Sequence, residues 1–473
     1  MVTIAGGDRL DRHKITLSPQ RWVVLGCIIF AIIVPISYYY YLRIVAIYAQ
    51  FYGHPASSID IYSLDNWLGP LIRNIVEKGE YRACYDGPDA TVVAQPSTIG
   101  ICWSAARMPV EPLFASFVAL FSRSLLTYVM LKNLLVFAIL FGAVFLVVRD
   151  RSINRTVFVG LLLILFLNPI HLSVGMQAAA EESYLIGLAP LGLALSLLQV
   201  EQAANKNALT YSGIGFVSAL LPMTKSSGVF PALGLSLMWL TTVRPNRRAG
   251  AIPLGIVLAV LMSWGGFIYF KTGTFAFLNT TSSLNGYNLY HGNSPFFAKY
   301  YPTYHMDEAV PEYNVTRPLV DEWDHNRYFY DLAKSYAIEH PAGTAQAVVL
   351  KLYSALFKVT PEIKGTTAGP GNLRYWPYIA GLLVGKVLMW GALIIAIRKI
   401  IVVHSAGGIN AISRSPDALG ALLFGGFFAT YLMPFVAGFV LYRHITPLLA
   451  TSIIYLLWVA GNPELAHNAG QAR

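Results

Sequence analysis

An acidic residue that directly follows the first long apolar run is the best candidate for chemistry in this sequence. Asp65 lies in the stretch SLDNWLGPLIRNIVEKGEY, where apolar residues recur at helical spacing and Gly79 is a suitable helix stop. Such a helix would lie along a membrane surface. Asp65 at its N-terminus would act either as an N-cap or as a general base. Asp60, five residues earlier, is either a second acid or a solvated side chain.

Three basic residues stand at the ends of apolar runs, where they are candidates to hold a phosphate. Arg107 opens an R-x-P-x-x-P pattern before an apolar helix, Lys225 lies in the short turn MTKSSG, and Arg443 lies in LYRHITPLL. A guanidinium offers a planar fork of donors, and cationic groups stabilise a phosphate leaving group. For Arg107 the alternative is a side chain that only reaches the lipid headgroups.

Two further segments carry polar groups. Glu181 and Glu182 precede an apolar run, and a carboxylate there is costly unless it faces water or a partner, so Glu182 is another candidate for the second acid. The loop NGYNLYHGNSPFF contains Asn288, His291 and Asn293. Amides and aromatic faces suit a sugar, so these three residues are candidates to contact the sugar or the acceptor. The alternative is a loop that hydrogen-bonds mainly to itself.

Cysteines and histidines limit the cofactor chemistry. Cys84 and Cys102 share the first polar loop, where they form a disulfide if the loop faces an oxidising compartment and otherwise remain free thiols. The histidines are scattered, so the spacing predicts no metal site. No cofactor is predicted, and assistance by a divalent metal ion is left open. Phosphate-binding loops, nucleophile elbows and dinucleotide fingerprints are absent from the sequence.

The composition indicates the membrane elements that must position these residues. The chain has 473 residues, of which 55% are hydrophobic and 12% are charged, whereas soluble domains carry about 25% charged residues. Many windows exceed the roughly 18 apolar residues of a membrane span. The net charge of +10 lies in short loops between apolar runs, a pattern typical of membrane topology rather than of nucleic-acid binding.

The basic loops predict an all-α polytopic membrane protein with about ten spanning helices, within a range of nine to twelve, and surface helices in the first large outer loop. Residues 1–473 would form a single domain. Polar loops at about 50–125 and 271–376 would lie outside the cell membrane, and both termini would be cytoplasmic. Membrane lipids are the expected surroundings, and no nucleic-acid partner is expected.

Three classes of function remain open at this point. Transporters built from repeats carry paired halves and helices broken near the midplane, whereas this chain shows no internal repeat and gathers its polar residues on one face. That asymmetry favours an enzyme at the outer membrane surface. A transporter or flippase of lipid-linked sugars is the alternative, with Lys386 as the candidate charge inside a span, although it is more readily explained as reaching an interior carbonyl. A non-catalytic membrane scaffold is the third reading.

The order of the motifs resembles the C-type glycosyltransferase superfamily, and most closely its bacterial protein O-mannosyltransferase and lipid A aminoarabinose transferase branches. The resemblance covers residues of about 20–460 and begins with the Asp65 stretch. It continues through six further motifs in order: SAARMPVEPLFASF, EESYL, LPMTKSSG, WGGFIYFKTGTFAFLNTTSSLNGYNLYHGNSP, IEHPAGTAQAVVLKLYSALF and YRHITPLLA.

The resemblance implies a polyprenyl-phosphate-linked sugar as donor and an inverting transfer onto a lipid or glycan acceptor of the cell envelope. The site would lie on the outer face of the bacterial cytoplasmic membrane. Asp65 corresponds to the acid of the first loop, which is expected to be the catalytic base or to orient the acceptor. Glu182 corresponds to an acid at the head of a middle span that contacts the acceptor or braces Arg107. Three basic residues correspond to the phosphate site, namely Arg107, Lys225 and Arg443. The chain departs from the pattern at Asn66, where protein mannosyltransferases have glutamate, and at Met108, where the family often has proline.

Overall fold

The computed structural model describes residues 14–15, 17–52, 60–63, 68–84, 102–177, 180–201, 208–242, 247–280, 284–294, 297, 322–360, 376–412, 415–438 and 440–461. Asp65, the candidate base, lies outside the described residues. The first half of the described chain contains α1 (Pro19–Tyr52), α2 (Leu68–Lys78), α3 (Val110–Ala119), α4 (Leu125–Val148), α5 (Arg155–Leu167), α6 (Pro169–Met176), α7 (Glu182–Glu201), α8 (Ala208–Thr224) and α9 (Val229–Thr242).

The second half contains α10 (Arg247–Thr272), α11 (Gly286–Asn293), α12 (Glu322–Glu339), α13 (Pro341–Leu356), α14 (Trp376–Ile412), α15 (Pro416–Ala437) and α16 (Tyr442–Ala460). Two antiparallel pairs of two-residue strands complete the described structure. They join β1 (Lys14–Ile15) to β4 (Ile153–Asn154) and β2 (Ala83–Cys84) to β3 (Cys102–Trp103). The prediction of an essentially all-α membrane protein is confirmed by these elements.

Eight helical segments of the described chain are long and apolar enough to cross a membrane, judged by length and composition. All ten predicted spans contain helix, but α8 and α9 have only 17 and 14 residues. A hydrocarbon core of about 30 Å takes roughly 20 helical residues, so these two are short for independent spans. The structure therefore supports a polytopic membrane protein without setting the number of crossings at ten.

Two predicted spans differ in shape from the expectation. The third is divided into α5 and α6, because Asn168 ends the first helix and caps the second by accepting a hydrogen bond from the Ile170 amide at 2.9 Å. Pro169 then occupies the first turn, where its missing N–H is not needed. The eighth span, which hydropathy predicts over about 378–397, is longer and forms the 37-residue α14, with a kink where Gly408 has a φ of 68°.

The helix α7 forms the centre of the bundle. It packs against α4, α8, α15 and α16, and most of its residues are buried. Its 20 residues span about 30 Å at 1.5 Å per residue, which matches the thickness of a hydrocarbon core. Groups at the two ends of α7 are therefore separated by the full depth of the bundle, and the candidate site lies at its N-terminal end.

The surface helix α2 corresponds to the predicted helix after Asp65, although the described helix begins at Leu68. It ends before Gly79, whose φ of 69° lies in the left-handed region that glycine adopts without strain. Leu68, Leu71 and Ile72 are buried, and the helix packs against α3 and β2. Its buried face therefore rests on protein, where the sequence pattern indicated a face directed at the membrane.

Candidate functional site

An ionic cluster gathers at the N-terminal end of α7 from four parts of the chain. Its members are Arg107, Glu181, Glu182, Lys225, Arg443 and His444. The acids stand at the start of α7, Lys225 follows α8, and Arg443 and His444 begin α16. All three basic residues predicted for the phosphate site, together with Glu182, thus lie in this cluster.

Glu182 is the centre of the ionic cluster. Only 2% of it is exposed, and its Oε1 lies 2.7 Å from the Lys225 Nζ, 3.1 Å from the His444 Nε2 and 3.7 Å from the Arg443 Nε. Buried carboxylates require such partners, because desolvation of an unpaired charge is costly. Glu182 therefore fixes the relative positions of α7, α8 and α16 at this end.

Glu181 connects Arg107 to the same cluster. Its two carboxylate oxygens lie 3.3 Å from the Arg107 Nη1 and 3.5 Å from the Lys225 Nζ. The cluster thus contains three permanent cations against two carboxylates, which leaves a formal charge of +1 with His444 neutral. The Arg443 side chain is 35% exposed and is the most open of the three cations. Excess positive charge beside an open guanidinium suits an incoming anion.

A tight turn places Lys225 in the cluster. The residue stands between α8 and the 3-10 turn Ser226–Gly228, whose last residue approaches the backbone of Leu221 closely. A Cβ at Gly228 would lie 2.4 Å from the Leu221 carbonyl carbon and oxygen, so only glycine fits this turn. This close approach explains the glycine of the sequence pattern MTKSSG.

Asn279 ties the Lys225 turn to the Arg107 segment, and the sequence analysis did not single it out. Its Oδ1 accepts a hydrogen bond of 2.7 Å from the Ser226 hydroxyl, while its Nδ2 donates to the Ala106 carbonyl at 2.8 Å. Asn279 is buried, within an otherwise apolar and threonine-rich stretch. A lone amide at such a position is the signal that could have identified it, because buried amides almost always bridge backbone or side-chain groups.

Tyr81 holds the Arg107 segment from the other side. Its hydroxyl donates a hydrogen bond of 2.8 Å to the Arg107 carbonyl. Burial raises the pKa of Tyr81 well above its ordinary value of 10.0, and the nearby Glu181 raises it further, against the opposing charge of Arg107. The phenol therefore stays protonated and keeps its donor role at physiological pH.

A buried polar network extends the ionic cluster inward, and the sequence analysis missed it. Lys132 and Glu111 are fully buried, with 3.9 Å between their charged atoms, and Tyr128 donates to Glu111 at 3.1 Å. Lys132 also donates to the Gln177 carbonyl, and the Gln177 amide donates to the Tyr442 hydroxyl at 2.8 Å. The signal was available, because charged residues inside apolar helices usually mark a functional or structural partner.

The remaining predicted site residues occupy other places. Asp60 caps the 3-10 turn Ile61–Ser63, where its Oδ1 accepts from the amides of Tyr62 and Ser63 at 3.0 and 2.9 Å. Asp60 therefore caps its own turn and is not a freely solvated acid. Nothing in the described structure connects Asp60 to the ionic cluster.

The candidate sugar-binding residues lie on α11. The backbone N–H of Asn288 donates a hydrogen bond of 2.7 Å to the side-chain Oδ1 of Asn285, the N-cap of α11. This contact agrees with a loop that hydrogen-bonds to itself. His291 is buried against the Tyr287 ring, with 4.1 Å between ring centroids. Asn293 is buried too; it accepts from the Lys351 Nζ at 3.0 Å and donates to the Ala437 carbonyl at 3.0 Å. These contacts fasten α11 to the end of α15, shortly before Arg443.

The structure shows whether the cysteines of the first polar loop are paired and what Lys386 contacts inside its span. Cys84 and Cys102 form a disulfide between β2 and β3, and Cys27 is free and exposed. Lys386 donates to the carbonyls of Ser354 and Lys358, as its explanation by interior carbonyls predicts. Within the described ranges, His, Cys, Asp and Glu form no group of three or more that could hold a metal ion.

No family model matches this chain, and no curated protein or solved structure matches it either. The resemblance to C-type glycosyltransferases therefore stays a prediction made from the sequence motifs.

Proposed function

We propose that this protein is a membrane glycosyltransferase that moves a sugar from a polyprenyl-phosphate carrier to a lipid or glycan of the cell envelope. The observation that carries the proposal is the convergence of Arg107, Lys225 and Arg443 on Glu181 and Glu182 at one end of the bundle. These three cations were selected as phosphate ligands from the sequence, where more than 100 residues separate each from the next.

The proposed reaction divides between the cations and Asp65. The acceptor hydroxyl oxygen forms a bond to the anomeric carbon as the bond from that carbon to the phosphate oxygen breaks. Polyprenyl phosphate leaves with the electron pair, while the hydroxyl proton passes to Asp65 as general base. Attack opposite the leaving group inverts the anomeric configuration. Arg443 and its neighbours would stabilise the charge that develops on the departing phosphate.

The carboxylates of the cluster have a positioning role in this scheme. Glu182 holds Lys225 and Arg443, and Glu181 holds Arg107, before any substrate binds. Cations that are fixed in advance need little reorganisation when charge moves to the phosphate, which is the main source of electrostatic catalysis.

The proposal includes a membrane arrangement. The ionic cluster would face the outer side of the bacterial cytoplasmic membrane, both termini would be cytoplasmic, and the short pair α8 and α9 would complete ten crossings in a C-type glycosyltransferase-like bundle. The exposed Arg398 and the half-buried Arg149 near the opposite end support this orientation, because basic residues concentrate on the cytoplasmic side.

The decisive experiment measures release of polyprenyl phosphate. The purified protein in lipid nanodiscs is incubated with a panel of polyprenyl-phosphate-linked hexoses and pentoses. At least one donor should turn over, and R443A and D65N should each lower the rate by about 100-fold. R398A and D331N are matched controls at exposed positions and should retain the rate. Failure of every donor, or full activity in both R443A and D65N, refutes the proposal.

Transport or flipping of a lipid-linked sugar is a second candidate. The observation in its favour is the fully buried pair of Lys132 and Glu111, because charges inside a membrane bundle often belong to transport pathways. Release of polyprenyl phosphate in the nanodisc experiment separates the two, because a flippase does not cleave the carrier. A flippase reconstituted in sealed vesicles would move the lipid-linked sugar between leaflets without that release.

A further inference from the structure

A cavity of about 340 Å³ lies beside the ionic cluster and has no role in the proposed reaction so far. Its volume falls at the lower end of the range for small-ligand sites. Its wall includes the residues after α2, the end of α10 and the start of α12. The lining groups that matter here are Glu80, Tyr81, Arg82, Lys271, Glu322 and Trp323.

Glu322 gives the cavity a fixed wall. The residue is only 3% exposed, and its carboxylate accepts hydrogen bonds from the amides of Ser104 and Ala105 at 2.9–3.1 Å. Thr280 also lies 3.3 Å from its Oε2. The start of α12 is therefore fastened to the segment that leads to Arg107, and the cavity is a built feature rather than a gap between loose segments.

The lining chemistry selects a neutral ligand that has many hydroxyl groups. Two acids, Glu80 and Glu322, and two bases, Arg82 and Lys271, balance in charge. Acceptors and donors thus face the same space, and a hydroxyl can serve both. A phosphate would meet two carboxylates, and a hydrocarbon chain would cover the exposed charges of Glu80, Arg82 and Lys271 without offering them a hydrogen-bond partner.

Aromatic rings add the second property of a sugar site. Tyr81 and Trp323 both line the cavity, and the Tyr81 ring is braced edge-on by Trp264 and Phe267 at centroid distances of 5.8 and 5.7 Å. Aromatic rings that line a binding site pack on the C–H faces of a pyranose ring, while charged neighbours bond its hydroxyls. Neither the balanced charges nor the aromatic rings alone would select a sugar, but their combination does.

The cavity and the ionic cluster share one wall. Cys102 and Ser104 line the cavity, whereas Arg107, three residues further along, belongs to the cluster. Tyr81 lines the cavity and at the same time donates to the Arg107 carbonyl. A ligand in the cavity would therefore lie directly beside the groups proposed to hold the donor phosphate.

We infer that this cavity binds a saccharide, and that this saccharide is the acceptor portion of the substrate. The identification as acceptor rests on the proposed glycosyltransferase function, whereas saccharide binding itself does not. The inference narrows the acceptor from any lipid or glycan to a molecule that presents an uncharged, hydroxyl-rich sugar.

The test uses saturation-transfer NMR on the full-length protein in phosphatidylcholine nanodiscs, without donor. Free glucose, galactose, mannose, arabinose and their disaccharides serve as probes. At least one should receive saturation, and W323A and K271A should each weaken its binding roughly tenfold. The exposed W376A and K334A are matched controls and should bind as the wild type does.

The outcomes are distinct. The inference is overturned if no saccharide binds, or if W323A and K271A both bind the sugar as tightly as the wild type does. It is also overturned if glycerophosphate or phosphoethanolamine binds, K271A abolishes that binding, and no sugar receives saturation. K271A alone decides if W323A does not fold, because Lys271 is exposed. Cavity-dependent sugar binding without any donor turnover would refute the glycosyltransferase proposal and leave the saccharide site standing. Turnover of a donor without sugar binding would support the glycosyltransferase proposal and refute the saccharide site.

Discussion

Glu182 shows how a single buried charge determines the geometry of the candidate site. Its carboxylate is the shared partner of Lys225, Arg443 and His444. Basic side chains that converge within a few ångströms repel one another unless an anion lies between them. Glu182 supplies that anion in the free protein, and a phosphate oxygen would add to this arrangement when a donor binds.

We expect E182Q to destabilise the protein by about 3 kcal/mol, because removing one partner of a buried ion pair leaves the others uncompensated. The measurement is the thermal unfolding midpoint in nanodiscs, followed by tryptophan fluorescence. E339Q, at an exposed position, is the control and should change the midpoint little. Equal midpoints for E182Q and the wild type would contradict the assigned role.

His325 adds a pH dependence outside the membrane spans. It lies among Trp103, Tyr287 and Phe329, with ring centroids 5.3, 5.9 and 4.9 Å away, and burial lowers its pKa from 6.5 to about 4. Between these two values the unfolded chain binds the proton more readily than the folded one. Stability present above pH 6.5 is therefore lost as the pH falls towards 4.

We predict that the unfolding midpoint falls between pH 7 and pH 4.5, and that H325Q reduces this fall by a few degrees. H340Q, which changes the exposed histidine just after the end of α12, should leave the pH dependence as in the wild type. A pH dependence that is the same in H325Q and H340Q would show that His325 does not contribute.

The antiparallel pair of β2 and β3 is the element that presents Arg107 to the cluster. Its disulfide joins Cys84 to Cys102, and the chain continues from β3 through Ser104 and Ala105 to Arg107 within five residues. Glu322 and Asn279 then hold this continuation by hydrogen bonds to its backbone. A covalent tie at one end and hydrogen bonds along the rest therefore position the arginine.

Reduction of the disulfide, or the variant C102S, should lower the stability of the protein by about 3 kcal/mol, because the bond closes a loop between residues 18 apart in sequence. The unfolding midpoint with and without dithiothreitol provides the measurement. C27S is the matched control, since Cys27 is free. An unchanged midpoint after complete reduction would mean that the hydrogen bonds alone hold this segment.

The molecule has charged groups at both ends of one central helix. Glu182 belongs to the ionic cluster at the start of α7, and Glu201, at its end, pairs with Arg151. Nearby, Lys399 lies 3.5 Å from Asp417, and its Nζ lies 5.0 Å from the centre of the Trp458 ring. Since α7 is about 30 Å long, the two sets of charges lie at opposite ends of the bundle, where polar headgroups or water can solvate them.

This arrangement predicts opposite accessibility of two exposed residues. In a C27S background, E77C on α2 should react with a membrane-impermeant maleimide from outside intact cells, whereas D150C should react only after the cells are opened. The native disulfide does not react with maleimide. Labelling of both cysteines from the same side would contradict the proposed orientation and the assignment of the ionic cluster to the outer face.

Hydropathy and loop charge were sufficient to predict the class of fold. Apolar runs form helices in any low-dielectric environment because their backbone groups must be satisfied within the segment, so the ten predicted helical segments follow from local composition. The end of α2 followed from an equally local signal, the glycine at position 79. The length of α14 did not, because packing decides where an apolar helix stops.

The contacts of the candidate site were decided by the tertiary structure. Sequence alone marked Arg107, Glu182, Lys225 and Arg443 by residue type and by their places at the ends of apolar runs. It did not indicate that Glu182 joins Lys225 and Arg443, nor that Asn279 and Glu322 brace the arginine segment. Ion pairs and hydrogen bonds between distant residues depend on how helices pack, and hydropathy contains no record of which helix ends meet.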